Sequence, residues 1–331
     1  MIEIDGSFGE GGGQIVRTAV ALSAVAGKSV RITRIREGRK NPGLSPQHVT
    51  AIRALAKVTN AKTEGAKPRS PEITFQPGEV RGGRREIDIG TAGSITLLMQ
   101  CLLPALVFAD SPTALTVRGG TDVKWSPTID YLSHVALPAF AEFGVRCHLT
   151  CERRGYYPRG GGVATLEVVP GKLRRADLLA LEPGRVEGVS HSSNLPEHVA
   201  KRQSEAAVEV LDVSGFDAKI GCETGVLPST GSGITLWSGR KGSSALGERG
   251  LPAEKVGAIA GEEMVAVLRS KAAVDRYLAD QLVPYLALAG GSYTAPEISR
   301  HTSTNIWTAT RFLDVEISAE EGEVATVRAD L

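Results

Sequence analysis

The chain has 331 residues, 42% hydrophobic and 23% charged, a balance ordinary for a globular fold and too apolar for a disordered or fibrous one. Thirty-eight basic residues against 37 acidic ones exclude coating of nucleic acid by bulk charge but leave room for a local basic site. An aromatic content of 5% is too low for a grip made of many stacked bases.

At roughly 100–200 residues per domain, the length implies two domains, or one carrying an insertion. No run approaches the ~18 apolar residues of a membrane span; the nearest, 97–108, is broken by Gln100 and Pro104. The opening residues Met1 to Asp5 show neither the basic start nor the apolar run of a signal peptide, so a cytoplasmic location is expected. Four cysteines are too few for a disulfide framework. Cys147 and Cys151 would share one face of a strand, and no second pair completes a zinc site.

Along the chain one unit recurs: an apolar helical run, a turn marked by Gly, Asp or Asn, then an alternating strand. Residues 18–26 lead through Gly27 into a strand at 30–33, and 51–58 pass Asn60 to reach 72–75. Residues 97–108 turn at Asp110 into 114–118, and 129–143 turn at Gly144 into 145–150. The last such run, 278–289, turns at Gly290 and Gly291 before 293–295. Helices alternating with short strands predict an α/β (α+β) class, with repeated modules gathered into one large domain. The spacing is too loose for a solenoid. Between about 181 and 272 the texture changes: a strand at 186–190, a helix opened by Pro196, strands near 219–222 and 234–237, a Gly/Ser-rich stretch at 239–250, and a helix over 253–272. This predicts a small βαββα domain, 183–272, inserted into a large domain made of 1–182 and 273–331.

Four constellations carry candidate chemistry. In Gly9-Glu-Gly-Gly-Gly-Gln-Ile-Val-Arg17, glycines ahead of an apolar helix let backbone N–H groups approach an anion. Gln14 and Arg17, three apart, project from one side, and Glu10 offers a carboxylate to a hard cation. A tight turn bearing surface charges accounts for the same residues. The stretch 28–40 is the most basic of the chain; Arg36 and Arg39 flank Gly38 in a loop, followed by Ser45, Pro46, Gln47 and His48 at a helix start. Two forked guanidiniums beside such a start suit a terminal phosphate, whereas a charged strand edge is the plainer account. Gly90-Thr-Ala-Gly-Ser94 precedes the helix that carries Gln100; Gly119-Gly-Thr-Asp122 and Gly155-Tyr-Tyr-Pro-Arg-Gly-Gly-Gly162 are similar loops, and close packing explains all three as well as ligand binding does. Near the C-terminus, Tyr277 and Asp280 share a helix face, and His301 lies among small hydroxylated residues in what reads as a polar loop. A neutral imidazole there suits attack on a phosphorus. His134, His148, His191 and His198 sit in ordinary strand or helix patterning and receive no chemical role.

Taken in order, 9–17, 35–44 with Gln47 and His48, 154–162, Tyr277-Leu-Ala-Asp-Gln281 and His301 resemble the RNA 3′-terminal phosphate cyclase family. The resemblance runs from Gly6 to the end and is weakest across the insertion. It implies modules like the C-terminal domain of translation initiation factor 3, with a small α/β domain inserted. It also implies an ATP-dependent ligase in RNA processing: ATP adenylylates His301, AMP passes to an RNA 3′-phosphate, and the neighbouring 2′-hydroxyl displaces AMP to leave a 2′,3′-cyclic phosphate. By this resemblance Gln100, Tyr277, Leu278, Ala279, Asp280 and Gln281 hold ATP, and Asp280 orients His301 through its second ring nitrogen. Glu10 reaches Mg²⁺ or Mn²⁺, while Gln14, Arg17, Arg36, Arg39, Gln47 and His48 hold the RNA end. His48 is the rival nucleophile. A non-catalytic relative acting in ribosomal RNA processing is the alternative, and enolpyruvyl transferases share only the repeat architecture.

Overall fold

The helix–strand unit recurs in the structure as a larger one, βαβαββ, repeated three times. A computed structural model describes residues 1–181 and 184–331. The first module comprises β1 (Ile2–Asp5), α1 (Gly13–Ala26), β2 (Val30–Thr33), α2 (Pro46–Thr59), β3 (Lys62–Glu64) and β4 (Ile73–Gln76), with sheet order β1-β2-β4-β3. The second comprises β5 (Gly83–Asp88), α3 (Ile95–Leu106) and β6 (Thr113–Gly119), then α4 (Ile129–Tyr131), which passes through a π turn at Leu132–Ala136 into α5 (Leu137–Glu142), and finally β7 (Arg146–Arg153) and β8 (Gly162–Val169). Its order, β5-β6-β8-β7, repeats that of the first.

The third module opens with β9 (Ala176–Leu178), and the chain then leaves for a separate sheet. That excursion contains β10 (Val186–Ser193), α6 (His198–Val213), β11 (Ala218–Gly225), β12 (Gly231–Ser238), β13 (Lys241–Leu246) and α7 (Ala253–Arg269), in the order β11-β10-β12-β13. The module resumes with α8 (Arg276–Ala289), β14 (Gly291–Ala295), α9 (Arg300–Phe312), β15 (Glu316–Glu320) and β16 (Ala325–Asp330), giving β9-β14-β16-β15. In each module the first two strands are parallel, and the last strand in sequence pairs antiparallel with both its neighbours.

Helices gather inside and sheets face outward. One apolar cluster joins all three modules, with Ile15 and Leu22 on α1, Leu98 and Leu102 on α3, and Leu282 and Leu286 on α8. α1 packs against α3 and α9, and α9 against α8. Exposed and half-buried residues alternate along β3 and β5, as in half-solvated strands. A second cluster, including Val186, Leu211, Leu236 and Met264, lies between α6, α7 and the β11-β10-β12-β13 sheet.

Two sequence expectations are corrected. The stretch 184–269 is βαβββα rather than βαββα, because the Gly/Ser-rich segment contains β13. Its buried Ser243 donates to the carbonyl of Ala260 on α7 at 2.8 Å, so small polar residues bring helix and strand together where apolar alternation was sought. The expected polar loop around His301 is the first turn of α9. The expected boundary at 182–183 lies outside the described residues. Among the described residues no helix is long and apolar enough to cross a membrane.

α6 and α7 meet where Gly257 lies so close to Gln203 that a Cβ would fall 2.0 Å from its carbonyl oxygen. Gly257→Ala is therefore expected to destabilise the fold by about 2 kcal/mol through overpacking against backbone. Gly221→Ala, whose Cβ would meet nothing nearer than 3.8 Å, serves as the near-neutral control in denaturant unfolding.

Candidate active site

The N-terminus of α9 is capped by Ser299, whose hydroxyl accepts from the Thr302 N–H at 3.0 Å. This sets His301 on the first helical turn. Its Nδ1 makes a short hydrogen bond with Oε1 of Gln14, a residue of the first turn of α1. The Gln14 amide donates through Nε2 to Asp280 Oδ2 on α8 at 2.5 Å. Asp280 thus reaches the histidine through Gln14, not directly as expected from the sequence. A carboxylate only accepts, so the Gln14 amine faces Asp280 and its carbonyl faces the imidazole. That carbonyl requires a proton on Nδ1 and leaves the lone pair on Nε2. Asn305, one turn along α9, donates to the Asp280 carbonyl at 2.7 Å and accepts from Thr18 on α1 at 2.7 Å.

Desolvation governs the charges here. It raises Asp280 to about 7, against the pull of Arg17 and the Gln14 hydrogen bond. It lowers His301, with Arg17 and Arg39 adding like-charge repulsion, so the ring is neutral near pH 7. Arg17, also desolvated, is lowered despite the neighbouring Asp280.

These groups line a cavity of about 730 Å³. First-turn residues of four helices reach it: Gln14 of α1, Leu97 of α3, Tyr277 of α8 and His301 of α9. The aligned peptide dipoles of these helix starts place positive potential on the cavity. The opposite wall is the loop between β6 and α4, with Trp125, Pro127 and Thr128, and β13 contributes Ser244 and Leu246. Gln100 donates to Gln281 at 2.5 Å, and Gln281 donates to the Tyr277 carbonyl at 2.7 Å. The start of α8 is held by buried Asp275, which accepts from the N–H groups of Tyr277 and Leu278 at 2.8 Å, from Tyr131 OH and from Gly242 N–H. Of the expected nucleotide-binding run, Tyr277, Asp280 and Gln281 face the cavity, whereas Leu278 and Ala279 point into the apolar core.

A second concavity of about 590 Å³ is lined by Glu10, Arg34, Arg39 and Arg300, among others. Arg39 forms an ion pair with the Glu10 carboxylate and donates to its carbonyl at 3.0 Å. Glu10 N–H donates to Thr304 on α9 at 3.2 Å. The Glu10 carboxylate folds over Gly12, where a Cβ would fall 1.9 Å from Oε2. Arg36 donates to the Gly43 carbonyl at 2.9 Å, and Gln47 lies beside Gly93 of the 90–94 loop. The loops at 119–122 and 155–162 owe their glycines to close packing, since a Cβ on Gly155 would lie 2.2 Å from Gly162 N.

His48 completes a capping box with Ser45: the Ser45 hydroxyl accepts from His48 N–H, and the Ser45 N–H donates to Nδ1 at 3.2 Å. The ring abuts Gly13, where it occupies the place of a Cβ. Burial lowers its pKa to about 3, with help from Arg17 and Arg36. Arg36, Gln47 and His48 line neither concavity. Thr18, Thr304, Asn305 and the 123–128 wall escaped the sequence reading; the first three needed α9 to be recognised as a helix against α1. His48→Ala is expected to lower stability by about 1–2 kcal/mol, because it opens the capping box at α2; chemical denaturation measures it.

The family model described as RNA 3′-terminal phosphate cyclase matches residues 8–319. Three relatives carrying that name are similar to the chain throughout. That of Methanosarcina acetivorans is 52% identical across 98% of both chains. That of Archaeoglobus fulgidus is 50% identical across 98% of this chain and 99% of its own, and that of Pyrococcus furiosus is 48% identical across 99% of both. The match spans the three modules and the sheet between them, and the chain belongs to the RNA 3′-terminal phosphate cyclase family.

Proposed function

We propose that this protein uses ATP to convert an RNA 3′-terminal phosphate into a 2′,3′-cyclic phosphate, with AMP carried covalently on His301. One observation carries the reading: the Asp280–Gln14–His301 chain leaves a neutral imidazole, its lone pair on Nε2, on the wall of a cavity of nucleotide size. In the first step Nε2 attacks the α-phosphorus of ATP. A P–N bond forms, the bond to pyrophosphate breaks, and the proton stays on Nδ1 under Gln14. An oxygen of the RNA 3′-phosphate then attacks the same phosphorus and breaks the P–N bond. Finally the 2′-hydroxyl attacks the 3′-phosphorus and AMP leaves with the activated oxygen.

The protein's part is placement and charge rather than strong acid–base chemistry. Arg17 and the first turns of α1, α8 and α9 meet charge developing at phosphorus. Gln100, Tyr277, Asp280 and Gln281 hold the nucleotide, while Leu278 and Ala279 support them from the core. Arg39 receives the RNA end beside the Glu10 loop, and Arg36, Gln47 and His48 serve the same end from positions outside both concavities. Mg²⁺ and Mn²⁺ bind through one or two carboxylates together with substrate phosphates. The Glu10 carboxylate, cradled over Gly12, fits such an ion, which supplies neutralisation of phosphate charge when bound. The division into a large domain (1–182 with 273–331) and an inserted one (183–272) belongs to this proposal. Through Ser244 and Leu246 of β13 the inserted part closes one side of the cavity.

Incubation with α-labelled ATP and Mg²⁺ is expected to label the protein through an acid-labile, alkali-stable bond, and His301→Ala to abolish the label; label persisting in that variant contradicts the assignment. Arg36→Ala is expected to slow transfer to 3′-phosphorylated RNA by at least about tenfold, the loss of one charge-assisted hydrogen bond, with label formation far less affected. The rate of labelling should fall as pH drops through about 7, because protonated Asp280 no longer compels the Gln14 amide to face it. In Asp280→Asn this fall is expected to move to the lower pH at which His301 itself is protonated; an unchanged profile would remove Asp280 from the relay.

A further inference from the structure

A buried polar cluster between the second module and the β11-β10-β12-β13 sheet takes no part in this chemistry. Asp122 follows β6, Asp130 is on α4 and His191 is on β10. Their side chains each offer one ligand atom, all within 4.8 Å of one another, and the residues are 2%, 8% and 1% exposed. The outward-facing atoms are held. Thr121 Oγ1 donates to Asp122 Oδ2 at 2.6 Å. Arg154 donates to both Asp130 oxygens, at 2.7 and 3.1 Å, and Tyr156 OH lies 2.8 Å from His191 Nδ1.

The inward-facing atoms are not held. Among the described residues, the fully buried Asp122 Oδ1 and His191 Nε2 have no hydrogen-bond partner. They stand 3.6 Å apart, too far for a hydrogen bond. Two ligands at about 2.0–2.2 Å from one tetrahedral ion lie about 3.4 Å apart, which is close to this separation. Among the described residues the charge is also unbalanced, since two buried carboxylates face the single guanidinium of Arg154, and the exposed Glu223 adds a third. Outer partners on each ligand, with the inner atoms left bare, are what a metal's supporting shell looks like.

We propose that Asp122 Oδ1, His191 Nε2 and an Asp130 oxygen bind one divalent transition ion of the Zn²⁺ or Mn²⁺ class. The imidazole nitrogen favours such ions over Mg²⁺ and Ca²⁺. Asp130 keeps a lone pair for the ion while it accepts from Arg154, and His191 Nδ1–H donates to Tyr156. The ion fastens β10 to the second module. Asp122 and Asp130 also bracket the 123–128 loop that walls the large cavity, so the ion pins both ends of that wall. Because the site is buried, it fills as the chain folds.

The test uses full-length protein expressed with Zn²⁺ or Mn²⁺ in the medium, gel-filtered in EDTA and analysed for metal. About one equivalent is expected in the wild type and in Glu10→Gln, and none in His191→Gln or Asp122→Asn. Protein expressed under metal depletion should melt at a lower temperature than the loaded protein, whatever its activity. Wild-type protein that emerges metal-free from supplemented cells and melts no differently from depleted protein overturns the proposal, even should both variants fail to fold. So does an equal metal content in foldable variants, which would place the ion elsewhere.

Discussion

Two hydrogen bonds in series, from Asp280 to Gln14 and from Gln14 to His301, decide what the cavity can do. A primary amide has distinct ends, and the carboxylate selects which end turns toward the imidazole. The histidine therefore inherits its tautomer from a residue it does not touch. The three partners lie on α8, α1 and α9 and are separated by 266 and 287 residues along the two links. The arrangement exists only when the first and third modules pack helix against helix.

That packing also explains why the site lies where it does. With the sheets outside and the helices inside, first turns of α1, α3, α8 and α9 come to one cavity. Each start is built locally: Ser94 caps α3, Asp275 caps α8 and Ser299 caps α9. Desolvation then acts oppositely on the two titrating partners, keeping His301 neutral while raising Asp280 toward neutrality. The wall formed by residues 123–128 and β13 encloses the space, and the Asp122–Asp130–His191 cluster lies directly behind it.

Much of this was legible in the sequence, and the remainder failed for physical reasons. Long apolar helices such as α1, α3 and α8 were found because burial on one face leaves a strong period. The strands β1, β3, β9, β15 and β16 leave little signal because three to six residues carry too little period to stand out; β5 is also absent from the sequence reading, being mostly charged, and so is β8, whose eight residues begin inside the Gly-rich loop 155–162. α9 reads as a loop because most of its buried face is polar (Thr302, Thr304, Asn305 and Thr308); Asn305 bonds to α1 and α8, whereas Thr304 and Thr308 bond to carbonyls of α9 itself. Motif spacing singled out Gln14, Arg17, Asp280 and His301, which the fold brings together. It gave no hint that Gln14 intervenes between Asp280 and His301, since that depends on side-chain reach across three helices. His191 looked like an ordinary strand residue because Asp122 and Asp130 approach it only in three dimensions.

The central claim concerns the position of one proton, and nitrogen-15 NMR of the imidazole of His301 in the ligand-free protein tests it most directly. Near pH 7.5 the account predicts a neutral ring protonated at Nδ1 with a bare Nε2, and loss of that preference in Gln14→Leu. A ring protonated at Nε2, or carrying both protons at that pH, would contradict it.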